Sequence, residues 1–301
     1  MPETDPYLNP PLHAVRDAVA RALAEDLTPL GDLSAALLPP GIEAEGEFVV
    51  RVAGVLAGIE CATETFRQID ERVQLKWAVG EGAVIAAGAV VATVRGPLAS
   101  ILTAERTALN FLGHLSGVAT RVRALVDALH DAAGRAAPKV WDTRKTTPGL
   151  RALEKAAVRA GGGRNHRGNL SDWVMLKDNH LIGIGITEGV GRARDRWPGR
   201  TIHVECERPE QVAEAVAAGA DAILLDNMTP TEISECVRLV HDAGLGQRRP
   251  LLEISGGVTL ENAATYARTG ADMISSGSLT NSAPVLDIGL DIRPTTARST
   301  V

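Results

Sequence analysis

The sequence predicts an α/β protein in two parts. A strand-rich, antiparallel first part precedes a domain in which strands and helices alternate around a parallel sheet. Three observations predict this. Residues 43–58 and 73–94 are β-branched segments broken by single glycines, the pattern of strands joined by turns. From residue 138 six short apolar segments recur: Lys139–Trp141, Trp173–Leu176, Thr201–Glu205, Ala222–Leu225, Leu251–Ile254 and Asp272–Ser275. Stretches long enough for helices separate them, and that alternation builds parallel sheets. Each segment also ends at a polar residue or glycine: Asp142, Lys177, Glu205, Asp226, Ser255-Gly256 and Ser276-Gly277. Six such units suggest an α/β barrel with fewer strands than the common eight, its polar strand ends converging on one face.

The elements follow in order. Leu12–Asp26 reads as a helix, with Val15, Val19 and Leu23 on one stripe. Asp32–Leu38 is a short helical piece ended by Pro39-Pro40-Gly41, and Ile59–Ile69 is a further helix. Leu98–Gly113 is a long helix with apolar Ile101, Leu102, Leu109 and Leu112, and polar Glu105, Arg106 and Asn110 among them. Ser116–Ala133 is a second helical stretch expected to pack against it. Gly149–Ala160 carries Leu150, Leu153, Ala157 and Ala160 on one face and is stopped by Gly161–Gly163. Pro209–Ala218 and Pro230–Ala243 fill later gaps. Asp287–Ile292 reads as a last strand returning to the first domain, and Arg293–Val301 as a frayed end. No Gly-x-Gly-x-x-Gly follows any strand, which disfavours a dinucleotide fold.

The 301 residues suffice for one large or two moderate domains, and 45% are hydrophobic. A net charge of −6 lends no support to a nucleic-acid partner. Cys61, Cys206 and Cys236 have no metal-knuckle or redox-pair spacing and read as reduced thiols. The polar, proline-rich start lacks a signal-peptide pattern, and the longest apolar run, Ala83–Val94, is too short to span a bilayer. The expectation is a cytoplasmic protein without a membrane segment. There is no Ser-His-Asp hydrolase elbow, and the histidines are too scattered in sequence for a zinc site.

Against this negative balance, cations concentrate locally. Arg144 and Lys145 follow one strand, Asn165-His166-Arg167 follow the triple glycine, and Lys177 ends the next strand. That clustering suits an anion with several charged groups. The planar forks of Arg106, Arg144 and Arg167 suit carboxylates, Lys145 and Lys177 suit phosphate, and His166 donates a hydrogen bond or a positive charge. His180, after Asp178-Asn179, reads as a loop pin; His114, Cys61, Cys206 and the four tryptophans read as packing. Glu205 and Asp226 end strands one helical unit apart, a pair able to hold Mg²⁺, bind ribose hydroxyls or stabilise a developing cation. Glu207 shares the parity of Glu205 but falls in the following turn. Ser255-Gly256-Gly257 and Ser276-Gly277, ending the last two strands, suit phosphate through backbone N–H groups and a helix start.

These residues carry a family resemblance. Thr103-Ala104-Glu105-Arg106 with Leu109-Asn110, DTRKTTPGLR at 142–151, GGGRNHR at 161–167, LKDNH at 176–180, LLDNM at 224–228 and SGG at 255–257 resemble quinolinate phosphoribosyltransferases, from about residue 12 to residue 292. The resemblance implies an open six-stranded α/β barrel (116–284) and an N-terminal α/β sandwich domain (1–115) completed by the C-terminal tail (285–301). It implies transfer of phosphoribose from phosphoribosyl pyrophosphate (PRPP) to quinolinate with decarboxylation, giving nicotinate mononucleotide, pyrophosphate and CO₂ in NAD synthesis. Mg²⁺ is the implied cofactor. The implied assembly is a homodimer or a hexamer of dimers with shared active sites, Arg106 being the residue that crosses to the partner subunit. Arg106, Arg144, His166, Arg167 and Lys177 would bind quinolinate. Lys145, Lys177, Ser255, Gly256, Gly257, Gly277 and Asn281 would bind phosphate or PRPP. Lys145, Glu205 and Asp226 would be catalytic, the two carboxylates also serving the metal. Two positions depart from the family: His203 stands where a glutamate is common, in His203-Val204-Glu205, and Asn281 where a histidine is common. Asn281 donates a hydrogen bond without carrying charge.

Overall fold

The stripe of Val15, Val19 and Leu23 produces helix α1 (Leu12–Leu27), which buries those residues together with Ala18. The computed structural model describes residues 5–295, and their contacts separate two units. The first draws on the chain before Val122, on Thr146–Gly162 and on the chain after Leu279; the second on Val122–Lys145 and Gly163–Leu279.

Strict alternation sets the first unit's sheet. In β1 (Glu43–Val50) Ala44, Gly46, Phe48 and Val50 are buried while Glu43, Glu45 and Glu47 are exposed. β2 (Gly54–Val55), α2 (Ile59–Ile69), β3 (Gln74–Trp77), β4 (Val84–Ile85) and β5 (Val90–Pro97) follow, with turns at Gly82 and Gly88, whereas Gly46 lies inside β1. The piece expected to be helical over Asp32–Leu38 is only a single 3₁₀ turn, Ala35–Leu37. Phe48 anchors the core, edge-on to Phe66 and stacked on Trp77 at centroid distances of 6.0 Å. Burial of each such side chain contributes about 1.5–3 kcal/mol.

One expectation fails in an instructive way. Leu98–Gly113 and Ser116–Ala133 are not two helices packed together but a single 36-residue helix, α3 (Leu98–Ala133). Gly113 and Gly117, which look like breakers, lie under the returning chain. A Cβ on Gly117 would sit 2.0 Å from the carbonyl oxygen of Pro284, and one on Gly113 2.8 Å from Val285 Cγ1. Leu286 N–H donates to the Gly113 carbonyl at 2.9 Å. Here glycine grants close backbone approach. Gly117→Ala therefore forces backbone movement and is expected to destabilise by about 1–3 kcal/mol. Exposed, unobstructed Gly191 is the control: its change to Ala should raise stability by about 0.5–1 kcal/mol. Urea unfolding of both variants measures the contrast, and equal midpoints would remove this account of Gly117. Leu102, expected inside, is 38% exposed.

Helix α4 (Arg151–Ala160) also belongs to the first unit, burying Leu153, Ala157 and Ala160. Leu150 lies just before it as the cap. Arg159 donates to the carbonyl oxygens of Tyr7 at 2.6 Å and Asn9 at 2.9 Å.

The second unit is the alternating domain. Its elements are β6 (Lys139–Trp141), β7 (Val174–Leu176), α5 (Asp178–Leu181), α6 (Gly185–Arg196), β8 (Ile202–Cys206), α7 (Pro209–Ala217), β9 (Ala222–Asp226), α8 (Pro230–Asp242), β10 (Leu251–Ser255), α9 (Ala263–Ala267) and β11 (Met273–Ser275); α10 (Ser278–Asn281) follows, its last two residues counting with the first unit. The six strands expected from residue 138 onward form one parallel sheet in the order β6-β11-β10-β9-β8-β7. β6 and β7 are its edges, so the barrel is open, and Arg164 adds an isolated parallel bridge beside Trp141. Period-2 alternation divides the strands. Val140, Ile202, Val204, Ile223, Leu225, Leu252, Ile254 and Ile274 form a buried aliphatic face. The opposite face is largely polar. Trp197, expected to be packing, is 52% exposed with the Arg196 guanidinium 5.5 Å from its ring.

The tail returns to the first unit as expected. β12 (Ile288–Pro294) runs antiparallel to β1, from Val50↔Ile288 to Ala44↔Pro294, giving the sheet order β12-β1-β5-β3. The expectation of a frayed end covers Arg293 and Pro294, which are strand, and residues 296–301, which lie outside the described residues. Among the described residues no helix is long and apolar enough to cross a membrane.

Candidate active site

Register assembles the polar face. Trp141, Ser275, Ser255 and Asp226 are partners across β6, β11, β10 and β9. Two residues earlier on their strands, Glu253, Leu224 and Glu205 form the next row across β10, β9 and β8. His203 lies two residues before Glu205 and so shares its face. The carboxyl ends of the strands thus present Glu205, Asp226 and Ser255 together, as the ends of the apolar segments foretold.

The basic loops are held by Asp142, which is fully buried. Its carboxylate accepts from the His166 backbone N–H at 2.7 Å and from Asn165 Nδ2 at 2.8 Å. The Arg164 carbonyl accepts from Asp142 N–H at 3.0 Å. Asn165 is thereby a brace for the loop that carries His166 and Arg167, both buried themselves. Burial pushes the Arg167 guanidinium below its ordinary pKa, and the positive charge of Arg144 adds to the shift against Asp172, Glu205 and Glu253. Two guanidiniums are therefore gathered where water is scarce. Lys145 lies against Gly277, where a Cβ would meet its Cδ at 2.6 Å, so the missing side chain makes room for the lysine stem. Lys177 pairs with Glu205 through Nζ and Oε2.

Behind this cluster stands a buried trio. His166 Nε2 is 3.2 Å from Glu253 Oε2, and His203 Nδ1 is 3.7 Å from the same oxygen. Burial holds the His203 pKa down to about 4, so its ring is neutral at neutral pH. Burial pushes the Glu253 carboxyl up, but the His166 hydrogen bond and charge, Ser275 and His203 outweigh it and keep the group ionised. Glu253 and Asp142 escaped the site reading of the sequence. The signal for Glu253 was present, since it sits two residues before Ser255 on the same strand face.

The Gly-rich loops differ from expectation in one respect. Gly256 has φ 87°, and a Cβ there would lie 2.1 Å from Asn227 Oδ1. Asn227 itself has φ 55° and donates through Nδ2 to Asp226 at 2.8 Å, while its N–H donates to the Ser255 carbonyl at 3.0 Å and braces the end of β9 on that of β10. No helix starts directly after Gly257: α9 begins only at Ala263, after a turn in which Asn262 Nδ2 donates to the Gly257 carbonyl. After β11, α10 does follow Gly277 at once, but it is four residues long.

Other sequence-read residues count with the first unit or make other contacts. Arg106 and Asn281 belong to the first unit, both exposed; Glu105 is half-buried and Asn110 exposed. Glu207 is exposed in the turn after β8. His180 Nδ1 accepts from Lys177 N–H at 3.1 Å, which is loop pinning. His114 does more than pack: its Nε2 lies 2.8 Å from Glu154, a fully buried carboxylate that also accepts from Thr147 N–H. The three cysteines are free and buried.

Comparison with known proteins agrees across both units. Sequence models of the quinolinate phosphoribosyl transferase N-terminal and C-terminal domains match residues 32–116 and 118–291. The nicotinate-nucleotide pyrophosphorylase (carboxylating) of Mycobacterium leprae is 40% identical over 93% of this chain and 97% of its own. A quinolinate phosphoribosyltransferase (decarboxylating) of Nicotiana glauca is 35% identical over 95% of this chain and 85% of its own. The nicotinate-nucleotide pyrophosphorylase structure from Francisella tularensis superposes with a TM-score of 0.88 at 33% identity, covering 97% of this chain and 100% of its own. With both domains matched end to end and the barrel face built as described, the chain belongs to the quinolinate phosphoribosyl transferase family.

Proposed function

We propose that this enzyme transfers phosphoribose from PRPP to quinolinate and releases pyrophosphate, CO₂ and nicotinate mononucleotide. The observation that carries the reading is the buried Arg167 beside Arg144 and His166. Like charges held together in a dry site are stabilised by an anion bearing more than one carboxylate. Quinolinate has two, on adjacent ring carbons. Arg144, His166 and Arg167 hold them, Lys177 assists, and Arg106 is supplied by a second subunit. Lys145, Lys177, Ser255, Gly256, Gly257, Gly277 and Asn281 take the phosphates.

The chemistry asks for charge placement rather than a strong nucleophile. As pyrophosphate departs, the ribosyl carbon becomes cationic, and Glu205 and Asp226 at the strand ends face that charge. The pyridine nitrogen attacks, forming the new C–N bond. The resulting pyridinium accepts the electron pair left when the 2-carboxylate departs as CO₂, and that ring carbon then takes up one proton. Lys177, paired with Glu205, links the quinolinate end of the site to the ribose end.

Glu205 and Asp226 are half-buried oxygen donors on one sheet face, a donor set that fits Mg²⁺ completed by water and phosphate oxygens. When bound, Mg²⁺ neutralises charge on the pyrophosphate. We read the protein as a cytoplasmic homo-oligomer with shared sites, a dimer or a hexamer of dimers, with neither nucleic acid nor membrane as partner. Turnover with quinolinate, PRPP and Mg²⁺, followed by CO₂ release, tests the function. Quinolinate should exceed nicotinate in kcat/KM by at least about 10²-fold, since loss of one buried charged contact costs roughly 3 kcal/mol. Equal values would sink the dicarboxylate assignment.

A further inference from the structure

His166, His203 and Glu253 arrive from one loop and two strands and meet on the inner face of the parallel sheet. One ligating atom of each lies within 4.8 Å of the others, and all three residues are buried. Both imidazoles address one Glu253 oxygen, at 3.2 and 3.7 Å. His203 Nδ1 and Glu253 Oε1 are buried without a hydrogen-bond partner. A buried polar atom left unpaired is costly, so an arrangement that leaves two of them in one cluster calls for a ligand.

We propose that His166, His203 and Glu253 form a binding site for a zinc-class transition metal ion. Two imidazoles and one carboxylate are a donor set zinc takes while leaving a fourth position open. Imidazole donors also separate this site from the Mg²⁺ chemistry of Glu205 and Asp226. Tetrahedral bonds of about 2.0–2.1 Å place donor atoms roughly 3.3–3.4 Å apart. The two separations from Glu253 Oε2, 3.2 and 3.7 Å, bracket that value, and the two imidazoles offer ligating atoms within 4.8 Å of each other. An outer shell is already built. Asp142 fixes the His166 backbone, and the Trp173 ring stands 4.8 Å from the His166 ring and 5.3 Å from that of His203. Partners of this kind orient ligands and raise affinity.

The site has a consequence for turnover. His166 is assigned above to a quinolinate carboxylate, and a metal on its Nε2 takes that residue away from the substrate. Zinc therefore competes with quinolinate. This consequence rests on the proposed function, whereas the metal site does not.

The test uses the metal-free full-length protein with excess Mg²⁺ and no substrate, titrated with Co²⁺ and then Zn²⁺. One Co²⁺ per chain should bind with the intense visible absorption of a four-coordinate site and be displaced by Zn²⁺. His203→Gln and Glu253→Gln, checked for folding by circular dichroism, should each weaken binding by about 100-fold or more, beyond the loss typical of outer-shell changes. Weak six-coordinate absorption, or equal affinity in wild type and both variants, overturns the proposal. Should a variant fail to fold, ¹⁵N spectra of the wild-type histidine rings decide: two imidazoles must shift on Zn²⁺ binding, and no shift refutes the site. In a separate assay Zn²⁺ should raise the KM for quinolinate. Intact Co²⁺ binding with an unchanged KM would instead sink the assignment of His166 to the substrate.

Discussion

Glu205→Gln is expected to keep the fold and much of the PRPP affinity while losing roughly 10²–10³ in kcat. The reason lies in when the charge matters. Glu205 and Asp226 sit on one face at the ends of β8 and β9, each half-buried. Their charge counts more as the ribosyl carbon becomes cationic than in the ground state, and such an interaction appears in kcat rather than only in KM. Asp226→Asn should lose a similar factor, with a larger shift in Mg²⁺ dependence if it is the closer metal partner. The two differ in what they leave behind. Glu205→Gln releases Lys177 from its ion pair, whereas Asp226→Asn disturbs only the 2.8 Å contact from Nδ2 of the neighbouring Asn227. Thermal unfolding, kcat and Mg²⁺ titration on the same samples separate chemistry from stability. Normal turnover in both variants would remove the pair from the mechanism.

Arg106→Ala and Lys145→Ala are each expected to lose at least about 10² in kcat/KM, because each removes a charged contact to an anionic substrate. Mixing them should restore activity. Arg106 is exposed on α3 in the first unit, while Lys145 lies in the barrel domain against Gly277. If every site combines Arg106 of one subunit with Lys145 of another, a mixed dimer has one intact site and one doubly altered site. Random exchange in a symmetric dimer then gives roughly a quarter of the wild-type sites. No recovery, with subunit exchange proven by differential labelling, would count against shared sites.

Much of this architecture was legible in the chain. An apolar run closed by Asp142, Lys177, Glu205 or Asp226 marks both a strand and the end at which its polar residue emerges, because βα units all present the same end. The basic loops were equally plain, since Arg144, Lys145, His166 and Arg167 stand against a net negative charge. The errors arose where a residue answers to a distant segment. Gly113 looked like the end of a helix because local propensity is all a sequence displays; Gly113 and Gly117 instead admit the crossing of Pro284–Leu286. Asn165, read only as part of the basic loop, is a brace to Asp142.

The sequence by itself determined the fold class, the six parallel strands, the strand-ending carboxylates and the cluster of cations. These depend on period-2 burial, helix length and charge, which are properties of short segments. Only the tertiary structure decided that α3 is continuous, and which residues share the interior with the cations. The histidines seemed too scattered for a zinc site. Strand register nevertheless sets β8 and β10 on either side of β9, with His203, Glu205 and Glu253 on one face. The loop braced by Asp142 then lowers His166 onto the same carboxylate. Sheet order and side-chain parity convert sequence distance into contact, and neither is written in any one segment of the chain.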